Sequence, residues 1–203
     1  FSANSAEVVA QETASKLSFV YATKRFAGSD LALRPLIGKT VTRLTPPNSF
    51  CLEPAWSPDG KRIAYTLFQN GTSQIYVANA DLSNPVCLSN GAQADRCPSW
   101  NPSGDAIVFT TLVNGNYEIA VRGVDGSGPL QLTNDPKFDS DPCWSPDGNT
   151  MAFTSNRTGF FRLYLMNSTG QAVRDLLGVD LVVWSSAPGQ VAAAFDRCPH
   201  RDA

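Results

Sequence analysis

The sequence predicts an all-β protein built from a repeated unit of four short strands. The chain holds four tryptophans, spaced by 44, 44 and 40 residues, at Trp56, Trp100, Trp144 and Trp184. A turn sequence follows each of them: Ser-Pro-Asp-Gly at 57–60 and 145–148, Asn-Pro-Ser-Gly at 101–104, and Ala-Pro-Gly at 187–189. A period of roughly 40 to 45 residues with four strands in each unit is typical of β-propeller blades. The expected fold is therefore a β-propeller of four-stranded antiparallel blades.

The strands of each unit are predicted from the residues between these turns. Proline presets φ at the second turn position, Asp or Ser caps the turn, and Gly accepts a positive φ. Short β-type runs follow the turns at 63–66, 107–110 and 151–154. Asn-Gly pairs at 70–71 and 114–115 then predict tight hairpins. Third strands are expected at 75–77, 119–121 and 163–165, and short outer strands at 86–88 and 130–132.

One further unit is predicted upstream by the same period. Residues 19–22, 31–33 and 43–45 align with the strands of the next unit, while Glu12 takes the position of the tryptophan. A β-sandwich is the structural alternative, but it does not predict the same turn chemistry every 44 residues. We expect a single propeller domain over 1–203, with blades at about 6–45, 46–89, 90–133 and 134–177 and a partial blade at 178–203.

The count of about four complete blades and a partial fifth does not determine how the ring closes. Innermost strands are expected around Val8, Ala55, Ser99, Cys143 and Val183, whereas third and outer strands number only four. Either the last strands complete the first unit in a ring of four or five blades, or further blades belong to the ring. Six blades need about 264 residues at this period. We expect the chain to be part of a longer one, and an oligomer if the ring is incomplete.

Composition excludes several classes of function. The 203 residues carry a net charge of −2 without a run of Lys or Arg, which disfavours nucleic-acid binding. No apolar stretch approaches the roughly 20 residues that a membrane-spanning helix needs. The five cysteines form no Cys-x-x-Cys pair, so zinc-site spacing is absent, and both buried free thiols and one or two disulfides between neighbouring repeats remain open.

The repeat also carries a family resemblance. Ordinary WD repeats have Gly-His and Trp-Asp pairs, whereas this chain has no Trp-Asp and a single histidine, His200. The stretch Asp-Pro-Cys-Trp-Ser-Pro-Asp-Gly at 141–148, with its strands, resembles the TolB-type propeller repeat. The resemblance implies a disc-shaped binding platform for a protein or peptide partner. Because the family's namesake works in the bacterial periplasm with a lipoprotein partner, it also implies a periplasmic or extracellular location.

A catalytic centre is not expected from the sequence. There is no Gly-x-Ser-x-Gly motif, and His200 lies close to the last residue, where a solvated side chain is the simplest interpretation. We therefore expect no enzyme activity and no cofactor. The alternative is that the chain is the propeller portion of a larger enzyme, as a peptidase gate or a polysaccharide lyase, since other members of the resembled family have such partners.

Candidate binding residues cluster just before each tryptophan. Three residues before the tryptophans stand Glu53, Cys97 and Asp141, with Asp95, Arg96 and Asp139 close by. Innermost strands line the channel of a propeller, so these oxygens are expected near one axis. They would hold a hard cation such as calcium, or capture a basic or amide group of a partner. The structural alternative, in which they cap the strand starts and accept backbone N–H bonds, stays open.

Aromatic residues supply a second set of candidates. Phe50 and Phe138 occupy equivalent positions six residues before a tryptophan, and we expect them to be buried between blades. The alternative is that they form an apolar contact patch for a protein or peptide on a rim of the propeller. Phe160 and Phe161 fall at a predicted loop tip, where an exposed aromatic pair would form a partner-binding surface. The repeated tryptophans and the Asp59 and Asp147 turns are assigned to the fold.

Overall fold

The structure, a computed structural model, describes residues 18–25, 28–35, 40–45, 50–89, 94–176, 181–187 and 190–195. Within these residues the regular structure consists of seventeen β-strands in five antiparallel sheets, and no helix is long and apolar enough to cross a membrane. The first sheet contains β1 (Ser18–Arg25), β2 (Gly28–Pro35) and β3 (Thr42–Arg43). The innermost strand expected around Val8 lies outside the described residues.

Three consecutive sheets have the complete four-stranded blade. The second blade consists of β4 (Cys51–Trp56), β5 (Arg62–Gln69), β6 (Thr72–Asn79) and β7 (Val86–Cys87). The third consists of β8 (Arg96–Trp100), β9 (Ala106–Val113), β10 (Asn116–Gly123) and β11 (Leu130–Gln131). The fourth consists of β12 (Asp139–Trp144), β13 (Thr150–Ser155), β14 (Arg162–Asn167) and β15 (Arg174–Asp175). A last sheet pairs β16 (Leu181–Ala187) with β17 (Gln190–Phe195).

Strand order within each blade follows chain order, from the innermost to the outermost strand. The register repeats with the sequence period, since Trp56 pairs with Ile63, Trp100 with Ile107 and Trp144 with Met151. The predicted all-β fold of four-stranded antiparallel blades is confirmed.

The turn after each tryptophan is closed by its own side chains. Ser145 Oγ donates to a carboxylate oxygen of Asp147 and accepts the Thr150 N–H at 3.0 Å. Gly148 has φ of 71°, which a residue with a Cβ adopts at a cost. In the third blade Asn101 takes the place of the serine, and its Oδ1 accepts hydrogen bonds from the N–H groups of Asp105 and Ala106. The side chains of the turn sequence therefore stabilise the first hairpin of these blades by hydrogen bonding.

The second hairpin of the second and third blades is an Asn-Gly turn. Asn70 and Gly71 have φ of 53° and 79°, and Asn114 and Gly115 have 51° and 82°. Positive φ at both central residues matches the right-handed twist of the flanking strands, and Asn-Gly is the pair that tolerates it best. The hairpins that the sequence predicted at these positions are confirmed.

Apolar contacts between neighbouring blades form the core. One cluster joins the second and third blades and includes Ile75, Trp100, Ile107 and Phe109; another joins the third and fourth and includes Val108, Met151 and Phe153. Trp100 also donates its Nε1–H to the Ala55 carbonyl at 3.0 Å, across the interface. The third blade thus buries one face of its sheet against the second blade and the other face against the fourth.

The described cysteines are free thiols. They are Cys51, Cys87, Cys97 and Cys143, while Cys198 lies outside the described residues. Of the two states that the sequence left open, the structure shows the unpaired one at these four positions.

Candidate partner-binding face

One side of the blades brings together the residues that the sequence singled out. Antiparallel order places the Asn70-Gly71 and Asn114-Gly115 turns, the loop between β13 and β14, and the starts of β4, β8 and β12 at the same end of the strands. We call this side the hairpin face. Its centre is formed by the innermost strands and its rim by the hairpin tips.

A β-bulge interrupts each innermost strand just inside this face. The pairing with the second strand shifts between Leu52 and Ala55, between Arg96 and Ser99, and between Ser140 and Cys143. The first residue in each bulge has a positive φ: 54° at Glu53, 55° at Cys97 and 54° at Asp141. Proline follows each of them, which fits because a bulge leaves one residue out of the hydrogen-bond ladder and proline has no N–H to offer.

The bulges direct their side chains towards the neighbouring blade. Glu53 Oε2 accepts the Cys97 N–H of the third blade at 2.7 Å and the Thr66 hydroxyl of its own blade at 2.7 Å. The Cys97 thiol donates to Asp141 Oδ1 of the fourth blade at 3.0 Å. Burial raises the pKa of this thiol well above its ordinary value, and the charges of Glu53 and Asp141 raise it further. The thiol therefore remains protonated and acts as a donor.

Asp141 completes this network at the fourth blade. Its Oδ2 accepts hydrogen bonds from Ser140 Oγ at 2.8 Å and Thr154 Oγ1 at 3.0 Å, and its N–H donates to Thr110 Oγ1 at 3.0 Å. Donors of the fold thus engage the carboxylates of Glu53 and Asp141. Over the described residues, no group of three or more His, Cys, Asp or Glu side chains is arranged to hold a metal ion.

Asp139 is also engaged inside the protein. Its side chain is fully buried, and Arg157 Nη2 donates to Oδ1 at 3.0 Å and to Oδ2 at 2.9 Å. The Arg157 guanidinium lies 4.8 Å from the ring centre of Tyr164 and 5.3 Å from that of Phe153. Asp139 therefore does not reach the surface of the hairpin face. Arg157 was not among the residues expected from the sequence, although it follows the repeated strand and its charge offered a signal.

Asp95 and Arg96 lie at the start of the third blade. Asp95 is only 4% exposed, and burial raises the pKa of its carboxyl above the ordinary value, an effect that hydrogen bonds from Thr111 and Ser89 and the charge of Arg122 only partly offset. The Arg96 guanidinium lies 4.1 Å from the ring centre of Tyr117. Of this pair, Arg96 is the one that contributes to the outer surface.

The phenylalanines differ from the expectation of burial. Phe50 is 47% and Phe138 is 41% exposed, so the prediction that they are buried between blades is wrong. Both precede an innermost strand, where the chain runs along the end of the blades, and each contacts one ring edge-on: Phe68 at 6.4 Å and Tyr117 at 5.8 Å. Phe160 is 74% exposed between β13 and β14, whereas Phe161 is half-buried. His200 lies outside the described residues.

Residues 12–182 match the family model of the TolB beta propeller domain. The chain belongs to the TolB β-propeller family. A stretch of 45 residues is 47% identical to the Tol-Pal system protein TolB of Thioalkalivibrio sulfidiphilus (strain HL-EbGR7), covering 22% of this chain and 8% of that protein.

Two solved structures extend the TolB likeness to most of the fold. A putative TolB from Agrobacterium tumefaciens is 27% identical with a TM-score of 0.71, over 79% of this chain and 61% of that one. TolB from Acinetobacter baumannii is 25% identical with a TM-score of 0.75, over 89% of this chain and 47% of that one. The chain therefore spans less than two thirds of the length of these TolB relatives.

Enzymes that contain a propeller share the fold at lower identity. Puromycin hydrolase is 18% identical with a TM-score of 0.61, over 74% of this chain and 26% of that one. An oligogalacturonate lyase from Vibrio parahaemolyticus is 12% identical with a TM-score of 0.60, over 82% of this chain and 51% of that one. This likeness shows the fold alone.

Proposed function

We propose that this TolB-family propeller is a non-catalytic binding module that holds a protein partner on its hairpin face. The observation that carries the proposal is that Phe50, Phe138 and Phe160 are 47%, 41% and 74% exposed on that one face. Aromatic side chains, phenylalanine among them, are enriched in protein interfaces, and exposed apolar side chains gathered on one face of a protein mark interaction sites.

The neighbours of Phe138 support a role in recognition. Tyr117 contacts Phe138 edge-on on one side and receives the Arg96 guanidinium on its ring. Arginine, tyrosine and phenylalanine in one cluster are the composition of an interface centre, because they offer large contact area and a charged donor at low conformational cost. The carboxylates of Glu53, Asp139 and Asp141 contribute indirectly, since they fix the strand starts that carry these side chains.

The partner is a protein of the bacterial envelope, and the module works in the periplasm. The support for this step is membership of the TolB family together with the similarity to the Tol-Pal system protein TolB of Thioalkalivibrio sulfidiphilus. A binding module also fits the axial residues, because hydrogen bonds of the fold occupy the carboxylates that a metal-dependent site would use.

Serine substitution of the three phenylalanines tests the proposal. Tagged wild-type chain and a Phe50→Ser/Phe138→Ser/Phe160→Ser variant are expressed with periplasmic export, and co-purified envelope proteins are quantified by mass spectrometry. We expect at least about a tenfold loss of the captured partner, the size typical of removing interface anchors. The control variant, Val86→Ser/Leu130→Ser, changes two apolar side chains that are 62% and 61% exposed on the outer strands. Equal loss in the control, or no loss in the triple variant, contradicts the proposal.

A second candidate, the propeller portion of an enzyme, is favoured by the enzymes that share the fold. It predicts turnover of an acidic polysaccharide by the purified chain, or peptide hydrolysis by a protein in which such a propeller adjoins a hydrolase domain. Because a solved oligogalacturonate lyase that shares the fold is in complex with manganese, an oligogalacturonate assay with and without manganese separates the candidates. We expect no product above the background, and product that depends on manganese would favour the enzyme.

A further inference from the structure

A cavity of about 180 Å³ lies on the side of the third blade that faces the second. Asp95, Val113, Ala120, Arg122 and Gln131 contribute to its wall, and the exposed Gln131 marks its opening to solvent. The side chain of Asp95 is 96% buried, yet its Oδ1 has no hydrogen-bond partner among the described residues. A buried carboxylate oxygen that accepts no hydrogen bond is costly unless a donor reaches it.

In the fourth blade, larger side chains fill the space that is equivalent to this cavity. One period of 44 residues after Asp95, Val113 and Ala120 stand Asp139, Arg157 and Tyr164. There the guanidinium of Arg157 binds both oxygens of Asp139 while it rests on the ring of Tyr164. The third blade keeps the aspartate, but valine and alanine replace the arginine and the tyrosine.

The second blade fills its space in another way. Cys51 stands where the third blade has Asp95, and Tyr76 stands where it has Ala120. Tyr76 stacks on Tyr65 with ring centres 5.8 Å apart, so this blade has neither the acid nor the gap. Among the three fully described blades, only the third has a buried aspartate together with small side chains, Val113 and Ala120, at the positions that would fill the space beside it.

Two charged side chains, those of Asp95 and Arg122, line the cavity. Asp95 has no ion pair within 4.0 Å among the described residues. The guanidinium of Arg122 donates to the backbone carbonyls of Leu88 at 2.8 Å and Gly128 at 3.3 Å, and its buried Nε has no hydrogen-bond partner among the described residues. Arg122 therefore ties the third blade to the second and leaves Asp95 Oδ1 for another donor.

We infer that the cavity of the third blade receives an arginine side chain of the protein partner, whose guanidinium pairs with Asp95 as Arg157 pairs with Asp139. This inference rests on the proposed function, because the partner supplies the arginine. It adds a chemical requirement, which is an exposed arginine on the partner surface that docks near the start of β8. Charge-assisted bidentate pairing supplies both the energy and the geometric selectivity of such a contact.

A small probe tests the cavity without the partner. Amide chemical shifts of the wild-type chain are followed while Nα-acetyl-arginine amide is added, with the uncharged isostere Nα-acetyl-citrulline amide as the control ligand. We expect saturable shifts at Val113, Ala120 and Gln131 with the arginine probe, and binding at least about tenfold weaker with citrulline, because hydrogen bonds to a charged group are the stronger ones.

Two variants make the assignment specific to Asp95. Asp95→Asn keeps the shape and removes the charge, so binding of the arginine probe is expected to fall about tenfold. Asp105→Asn makes the same change in net charge at an exposed turn of the same blade and should leave binding unchanged. The amide spectrum of each variant reports whether it is folded.

A third variant copies the fourth blade into the third. Val113→Arg/Ala120→Tyr should fill the cavity, raise the thermal midpoint and abolish probe binding. Equal binding of arginine and citrulline, unchanged binding in Asp95→Asn, or no binding by folded wild-type chain overturns the inference. If the probe fails while the Phe variants still lose the partner, the cavity inference alone is wrong; if the probe binds while the Phe variants keep the partner, the proposed function alone is wrong.

Discussion

At the scale of single residues, equivalent positions of the repeat have diverged while the backbone stayed the same. Glu53, Cys97 and Asp141 share one φ near 55° and one bulge, yet they act as acceptor, donor and acceptor in turn. Asp95 and Asp139 likewise share one position, but only Asp139 has an internal arginine. The blades keep the same backbone with different side chains at these positions. Each of these side chains can therefore differ in whether it contacts a neighbouring blade or a ligand.

Glycine 170 is predicted to be required by a close approach between blades. A Cβ at this position would collide with the backbone carbonyl of Leu132 in the third blade, and φ is +80°. Gly126 is the matched control, since it has φ of +91° at the equivalent position of the third blade and nothing within 4 Å of a built Cβ. Gly170→Ala should lower the free energy of unfolding by about 1–3 kcal/mol more than Gly126→Ala, measured by urea denaturation. Equal losses would mean that φ strain alone is responsible.

At the scale of elements, the turns were predictable because their chemistry is local. Ser57, Asn101 and Ser145 each bond within five residues along the chain, so the sequence already contains both partners. The bulges were not predicted, because they depend on pairing between strands that the sequence does not reveal. Arg157 was missed for the same reason: its partner Asp139 lies 18 residues away, across the blade.

The turn at 145–148 is predicted to contribute stability at neutral pH that is lost at acid pH. The Ser145 hydroxyl and the backbone and side chain of Asn149 donate to Asp147, and they lower the pKa of its carboxyl to about 2. A carboxyl whose pKa is lower in the folded state adds stability above its unfolded pKa of about 3.8, and that contribution is lost as the pH falls through 2. Thermal unfolding should therefore show Asp147→Asn below wild type at pH 7, with the gap closing towards pH 2.

A variant of another turn in the same blade serves as the control for this pH effect. Asn167 Oδ1 accepts hydrogen bonds from the N–H and hydroxyl of Thr169 and from the N–H of Gln171, so Asn167→Ala removes turn hydrogen bonds in which no ionisable group takes part. Its effect on the thermal midpoint should not vary between pH 7 and pH 2. A gap between Asp147→Asn and wild type that is the same at both pH values would assign the effect to shape and not to charge.

At the scale of the whole molecule, the blades are joined by side chains that reach from one sheet to the next. Trp100 and Arg62 bridge the second and third blades, since Arg62 donates to the Gly104 carbonyl at 2.7 Å and lies 4.7 Å from the Trp100 ring centre. The 44-residue period predicted the blades and the role of tryptophan in the fold. It did not predict the exposure of Phe50 and Phe138, because burial at a blade end depends on how neighbouring loops pack.

Loss of the tryptophan N–H is predicted to weaken one interface more than another. Trp100 Nε1 donates to the Ala55 carbonyl, whereas Trp144 Nε1 is buried without a hydrogen-bond partner among the described residues. Trp100→Phe should therefore lower the free energy of unfolding by about 1 kcal/mol more than Trp144→Phe, because only in Trp100→Phe does a carbonyl, that of Ala55, lose a hydrogen-bond donor. Calorimetry of both variants measures the difference, and a larger loss in Trp144→Phe would refute this account of the interfaces.

The most direct test of the binding proposal is site-specific photo-crosslinking on the hairpin face. A photoreactive phenylalanine analogue replaces Phe160, which is 74% exposed, or Val86, which is 62% exposed on the outer strand of the second blade. After irradiation in intact cells, we expect a discrete crosslinked partner at position 160 and none at position 86. The same partner at both positions, or a partner at position 86 alone, would contradict a role for the hairpin face in binding.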